Sequence, residues 1–152
     1  MRPDLFLALL SMDAYNRGPE SSRPGTLIPD YRPDHTLAGL GFASVFRESD
    51  PALNAIGFYA VAYELSSGEK FISYRGTDQN IVGNGLGSDL WNGYGLAGGS
   101  PHSAQSVAAI EFYQSVIGNG VDPRTANVTL TGHSLGGGLA GIVGASTGAV
   151  PP

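Results

Sequence analysis

One short segment near the end of the chain constrains the fold more than any other, the run Val-Thr-Leu-Thr-Gly-His-Ser-Leu-Gly-Gly over residues 128–137. A β-branched, apolar stretch is followed directly by Gly-x-Ser-x-Gly and then by small residues. This order predicts a strand, then a sharp turn, then a helix. We call residues 132–136 the elbow. Such a turn lifts the Oγ atom of Ser134 out of the backbone, and side chains at Gly132 and Gly136 would collide with the neighbouring strand and helix. The alternative interpretation is an ordinary glycine-rich turn in which the serine has no catalytic role.

Composition limits the classes of function that the chain can have. Its 152 residues suffice for one domain with a core, and we expect a single domain over 1–152. The net charge is −5 and no cluster of basic residues exists, which argues against a nucleic-acid partner. The chain has no cysteine, so disulfides and thiolate chemistry are excluded. The three histidines lack metal-site spacing and residues 83–99 lack Gly-Lys-Ser/Thr, so we expect no metal and no cofactor.

The N-terminal segment carries the longest apolar run, Leu5–Leu10. It is too short for a transmembrane helix, and Asp4 before it makes it a poor signal peptide, so localisation stays open. We predict instead an amphipathic helix that ends at residues 16–18. Its apolar face is expected to carry Leu5, Ala8, Leu9 and Met12.

Strands and helices alternate in the rest of the predicted structure. Strands are expected at 39–46, 56–64 and 70–75, with a hairpin turn at 66–69, followed by an irregular connection over 76–99. A helix that begins with Ser100 and Pro101 should end at Gly118, and the helix after Ser134 should end near Gly148. This order indicates an α/β sheet with the strand that enters the elbow near its centre.

A second motif, Phe-Ile-Ser-Tyr-Arg-Gly-Thr-Asp over residues 71–78, lies upstream of the elbow. Together the two motifs resemble those of the class 3 lipases, which are fungal-type triacylglycerol lipases and their bacterial relatives. The resemblance extends over about residues 56–147. It implies an α/β-hydrolase-type sheet with flanking helices, and a serine carboxylic-ester hydrolase that acts on acyl esters or lipids through an acyl-enzyme at Ser134.

The resemblance also implies roles for individual residues. Ser134 corresponds to the nucleophile, and Thr77 and Leu135 correspond to the residues of the oxyanion hole. Asp89 corresponds to an acid that steadies the oxyanion loop, for which a solvated carboxylate is the alternative. Residues 80–87 fall where members of that family carry a lid. The implied partner is an ester or lipid substrate, and contact with a lipid interface is left open.

The chain departs from that pattern after the nucleophile. Residues 135–152 contain no Asp, Glu or His, so a catalytic triad cannot be completed in the usual order. His133 is expected to be a packing residue, and neither His35 nor His102 fits a general base. We therefore expect an incomplete domain, truncated after the nucleophile helix and exposing apolar surface at 142–143. A degenerate relative is the second explanation.

The same motif is compatible with functions other than ester hydrolysis. Phospholipases, acyltransferases and peptidases use a similar elbow, so the class of acyl substrate is undetermined. A non-catalytic pseudo-hydrolase that serves as a binding module is the alternative from a different class. An Asp and then a His on loops after later strands would favour the enzyme, and their absence would favour the module.

Overall fold

The computed structural model describes residues 3–15, 17, 43–76 and 104–149. In chain order its elements are helix α1 (Pro3–Tyr15), strands β1 (Ala43–Glu48), β2 (Ala60–Leu65) and β3 (Lys70–Tyr74), helix α2 (Ala104–Ile117), strand β4 (Val128–Gly132) and helix α3 (Leu135–Thr147). Short 3-10 helices occupy Pro51–Ile56 and Pro123–Thr125. The strands form one mixed sheet with helices against it, so the expected α/β class is confirmed at this level.

The sheet has the strand order β1-β2-β3-β4. Strands β1, β2 and β3 pair antiparallel, whereas β3 pairs with β4 in parallel and sets Tyr74 opposite Gly132. A parallel neighbour needs a long crossover, and α2 lies within it. The antiparallel strands all lie on one side of β4. Among the described strands β4 is therefore at the edge, and the prediction that it lies near the centre is wrong for this part of the sheet.

Side chains of the strands alternate between two cores, as the two-residue period of a strand requires. One face packs against α2 and α3, and its buried residues include Ala60, Ala62, Ile72, Tyr74 and Leu130. The opposite face packs against α1, and its buried residues include Val61, Tyr63 and Phe71. Val143 of α3 is fully buried in the first core and Ile142 is partly buried, so the expected apolar exposure at 142–143 is wrong.

Helix α1 turns a different face to the sheet from the one predicted. Leu5 and Met12 are exposed, whereas Leu10 and Ala14 are fully buried. The prediction was wrong because apolar residues surround the first two turns of the helix, so their spacing does not select one face. The choice is made by tertiary contacts such as the edge-to-face packing of Phe6 on Phe71, with ring centroids 5.1 Å apart.

Turn residues explain where the other elements begin and end. The strand expected at 56–64 occupies Ala60–Leu65, because Asp50 caps the 3-10 helix Pro51–Ile56 and Gly57 closes it with φ 72°. The predicted hairpin turn at 66–69 is confirmed, and Gly68 within it has φ 84°. Helix α3 ends as predicted before Gly148, which has φ 73°.

Candidate functional site

Strand β4 leads into the elbow with a backbone that is strained at one residue. Ser134 has φ 58° and ψ −126°, and no other residue of the described ranges except glycine has positive φ. Such a conformation costs of order 1–3 kcal/mol in a non-glycine residue and persists only where the surrounding structure enforces it. The predicted strand, sharp turn and helix around Ser134 are confirmed for the backbone.

Two glycines allow helix α3 to pack directly on the strands. A Cβ atom on Gly136 would collide with the carbonyl oxygen of Tyr74 in β3. A Cβ atom on Gly132 would lie 2.8 Å from the same oxygen and still closer to the backbone of Gly136. The collisions predicted for both positions are confirmed, and they explain why only glycine fits at the two ends of the elbow.

A third glycine lies at the exit of β3. A Cβ atom on Gly76 would lie 2.8 Å from the carbonyl oxygen of His133 and 3.4 Å from the Cβ atom of Ser134. The missing side chain therefore lets the end of β3 touch the elbow. Gly76 immediately precedes Thr77, one of the predicted oxyanion residues.

The hydroxyl of Ser134 is exposed and does not cap helix α3, although N-cap serines commonly do so. The N–H of Gly136 donates to the carbonyl oxygen of His133 at 3.0 Å. The N–H of Gly137 donates to the carbonyl oxygen of Ser134 at 3.0 Å. The hydrogen bonds of the described residues leave the N–H of Leu135 without an acceptor. An exposed hydroxyl thus adjoins a free N–H, which is the local arrangement that can stabilise an oxyanion.

Helix α1 brings to the elbow a tyrosine that the sequence patterns did not single out. The N–H of Gly76 donates to Tyr15 Oη at 3.1 Å. The same Oη atom lies 3.3 Å from Nδ1 of His133 and 3.5 Å from its carbonyl oxygen. The Tyr15 and His133 rings meet edge to face, with centroids 6.0 Å apart. His133 is exposed, and its ring packs against the Tyr15 ring, as expected of a packing residue.

A buried polar cluster anchors the same end of α1. The Asp13 carboxylate forms an ion pair with Arg17 and accepts a hydrogen bond from Tyr63 Oη at 2.6 Å. Arg75 donates to the carbonyl oxygen of Arg17 at 3.2 Å, and its guanidinium lies 4.7 Å from the ring centroid of Tyr59. Burial alone would lower the pKa of Arg17, but the hydrogen bond and charge of Asp13 raise it. Burial and the negative charge of Asp13 raise the pKa of Tyr63.

Several predicted features lie outside the described residues. They are Thr77, Asp89, the lid expected at 80–87, His35 and His102. Within the described ranges, no group of three or more His, Cys, Asp or Glu side chains is arranged to hold a metal ion. No helix in this part of the chain is long and apolar enough to cross a membrane.

Comparison with protein families identifies the affiliation of the chain. A family model described as Mbeg1-like matches residues 40–148. The chain belongs to the Mbeg1-like family. The matched part of this Mbeg1-like chain contains the four strands that the structure describes, helices α2 and α3 and the elbow, whereas α1 precedes it. No curated protein and no solved structure matches the chain.

This match overturns the resemblance to the class 3 lipases. The two motifs that carried it are short, and the downstream one describes the local backbone of an elbow, which the Mbeg1-like chain also has. The roles that the resemblance implied for Thr77, Asp89 and a lid lose that support. The case for Ser134 and Leu135 now depends on the geometry of the elbow.

Proposed function

We propose that this Mbeg1-like chain carries the nucleophile and part of the oxyanion hole of a serine carboxylic-ester hydrolase. The observation that carries the proposal is the strained backbone of Ser134 at the junction of β4 and α3. Strain of this kind concentrates at functional sites, and here it exposes a hydroxyl group that makes no capping bond. Assignment of the mixed sheet to the α/β-hydrolase type is part of the same proposal.

The reaction would proceed by acyl transfer. Ser134 Oγ adds to the carbonyl carbon of an ester, and the carbonyl oxygen becomes an oxyanion that accepts a hydrogen bond from the N–H of Leu135. Collapse of the intermediate breaks the bond to the alcohol, which leaves with the proton lost by the serine. Water then hydrolyses the acyl-enzyme to a carboxylic acid and restores the serine. The base that moves these protons lies outside residues 135–152, which contain no His, Asp or Glu.

Thr77 is proposed as the second oxyanion donor. Its support is the position of Gly76, whose added Cβ atom would lie 3.4 Å from the Cβ atom of Ser134. The chain therefore reaches Thr77 from a residue that touches the elbow. Asp89 as a supporting acid and contact with a lipid interface remain predictions from the sequence. The proposed chemistry itself needs no cofactor.

Covalent labelling combined with an esterase assay tests the proposal. An alkyl fluorophosphonate should modify Ser134, as located by peptide mass spectrometry. Ser134→Ala should abolish the labelling and lower hydrolysis of p-nitrophenyl butyrate by about 10³-fold or more. Ser146→Ala is the matched control, because Ser146 is an exposed serine on the same helix, and it should leave both readouts unchanged. Full esterase activity of Ser134→Ala would refute the mechanism.

A non-catalytic acyl-binding module is the second candidate. It would use the exposed hydroxyl of Ser134 and the free N–H of Leu135 to hold an acyl group without transferring it. In that case the protein would neither react with the fluorophosphonate nor hydrolyse esters, but it would bind a fluorescent fatty-acyl probe. Competition by esters, phospholipids and peptides would then separate the substrate classes that share an elbow.

A further inference from the structure

The hydroxyl of Tyr15 bridges two chain segments that the proposed reaction requires to be held together. On one side it accepts a hydrogen bond from Gly76, which precedes Thr77. On the other side it contacts His133, which precedes Ser134. We propose that Tyr15 is a positioning residue, which sets the spacing between the elbow that carries Ser134 and Gly76 at the exit of β3. This inference rests on the function proposed above.

The hydrogen bonds that the Tyr15 hydroxyl can form show how it connects the two segments. A tyrosine hydroxyl has one hydrogen and two lone pairs. The N–H of Gly76 uses one lone pair, and on the other side the Oη atom lies 3.3 Å from Nδ1 of His133 and donates to the His133 carbonyl oxygen at 3.5 Å. Tyr15 thus holds Gly76 and the elbow at a fixed distance from each other.

Helix α1 is anchored firmly enough to act as a reference for this spacing. One turn before Tyr15, Ser11 Oγ lies 3.1 Å from Thr131 Oγ1 in β4. On the same turn as Ser11, buried Asp13 accepts a hydrogen bond from Tyr63 in β2. Any displacement of α1 along the sheet would break these contacts, and a site held by anchored elements is more precise than one held by loops alone.

The first test uses steady-state kinetics of two phenol-to-phenyl variants of the protein. Tyr15→Phe keeps the ring and removes the bridging hydroxyl. Tyr113→Phe is the matched control, since Tyr113 Oη donates to the carbonyl oxygen of Pro123 at 3.0 Å and has no contact with the elbow. With p-nitrophenyl butyrate, Tyr15→Phe should lower kcat about 10- to 100-fold and leave KM within about twofold, because small misplacement of reacting groups is costly.

The control variant separates positioning from stability. Tyr113→Phe should lose thermal stability, as Tyr15→Phe does, because both variants lose hydrogen bonds between a phenol and the backbone, yet Tyr113→Phe should keep the wild-type kcat. Equal kcat values for wild-type, Tyr15→Phe and Tyr113→Phe proteins would overturn the positioning role. A wild-type protein that neither hydrolyses the ester nor reacts with fluorophosphonate would instead refute the proposed function, and the role of Tyr15 in it as well.

The second test is independent of activity. Nuclear magnetic resonance would follow the amide proton of Gly76 and the ring nitrogens of His133 in the same variants. Tyr15→Phe should shift the Gly76 amide proton upfield and change the ring-nitrogen signals of His133, because both groups lose their contact with the hydroxyl, whereas Tyr113→Phe should move neither signal. Unchanged Gly76 and His133 signals in Tyr15→Phe would show that the bridge does not form and would overturn the inference.

Discussion

Replacement of Gly136 by alanine would force a methyl group into the contact between α3 and β3. Its Cβ atom would overlap the carbonyl oxygen of Tyr74, and it would lie 2.7 Å from the Tyr74 carbonyl carbon and 3.1 Å from that of Arg75. Strand β3 is paired on both sides, so it cannot retreat without disturbing the sheet. Overpacking costs about 1–3 kcal/mol and occasionally more, whereas the gain in helix propensity is at most about 1 kcal/mol. We expect a net loss of roughly 2 kcal/mol in the free energy of unfolding.

Two glycines of the same helix provide matched controls. A Cβ atom on Gly138 or Gly141 would have nothing within 4 Å. Alanine at either position should therefore raise the free energy of unfolding by about 0.5–1 kcal/mol. Equilibrium urea unfolding followed by far-ultraviolet circular dichroism measures all three variants. If Gly136→Ala proves as stable as Gly138→Ala, the direct packing of α3 on β3 described here is wrong.

Two further predictions concern backbone strain and buried phenols. Ser134→Gly should raise the free energy of unfolding by about 1 kcal/mol, because glycine accepts positive φ without strain. Ser146→Gly in helix α3 is the control and should lower the free energy of unfolding by about 0.5 kcal/mol. Equal effects of the two substitutions in urea unfolding would argue against strain at Ser134. Burial raises the pKa values of Tyr59 and Tyr63. Below a pH of about 10 both phenols are neutral in the folded and the unfolded protein, and burial of the neutral form stabilises the fold. Above that pH the unfolded protein loses these protons first, so the free energy of unfolding falls by about 1.4 kcal/mol per pH unit for each group. Tyrosinate absorbance should therefore rise together with the loss of circular dichroism, and phenols that titrate before the fold is lost would contradict their burial.

The elbow could be predicted from the sequence because every interaction that defines its backbone is local. The strand, the turn and the helix occupy adjacent residues from Val128 to Thr147. The glycines at 132 and 136 stand two residues on either side of Ser134, where a side chain would meet backbone atoms. The hairpin between β2 and β3 was predictable for the same reason, since its turn residues lie next to the strands that they connect.

The family could not be inferred from the same motifs. A short Gly-x-Ser-x-Gly segment describes a backbone conformation, and different families can share that conformation. The match to the Mbeg1-like family extends over residues 40–148 and therefore depends on many positions outside the elbow. For this reason the motif predicted the geometry of Ser134 correctly and the family incorrectly.

What the sequence determined by itself is thus the local geometry, a strand that turns sharply at Ser134 into a glycine-rich helix. Tertiary structure alone decided which face of α1 is buried and what surrounds the elbow. Tyr15 is 61 residues from Gly76 and 118 residues from His133 in the chain. No local pattern relates residues so far apart. They meet because the parallel pairing of β3 with β4 brings the two strand ends together and α1 packs across them.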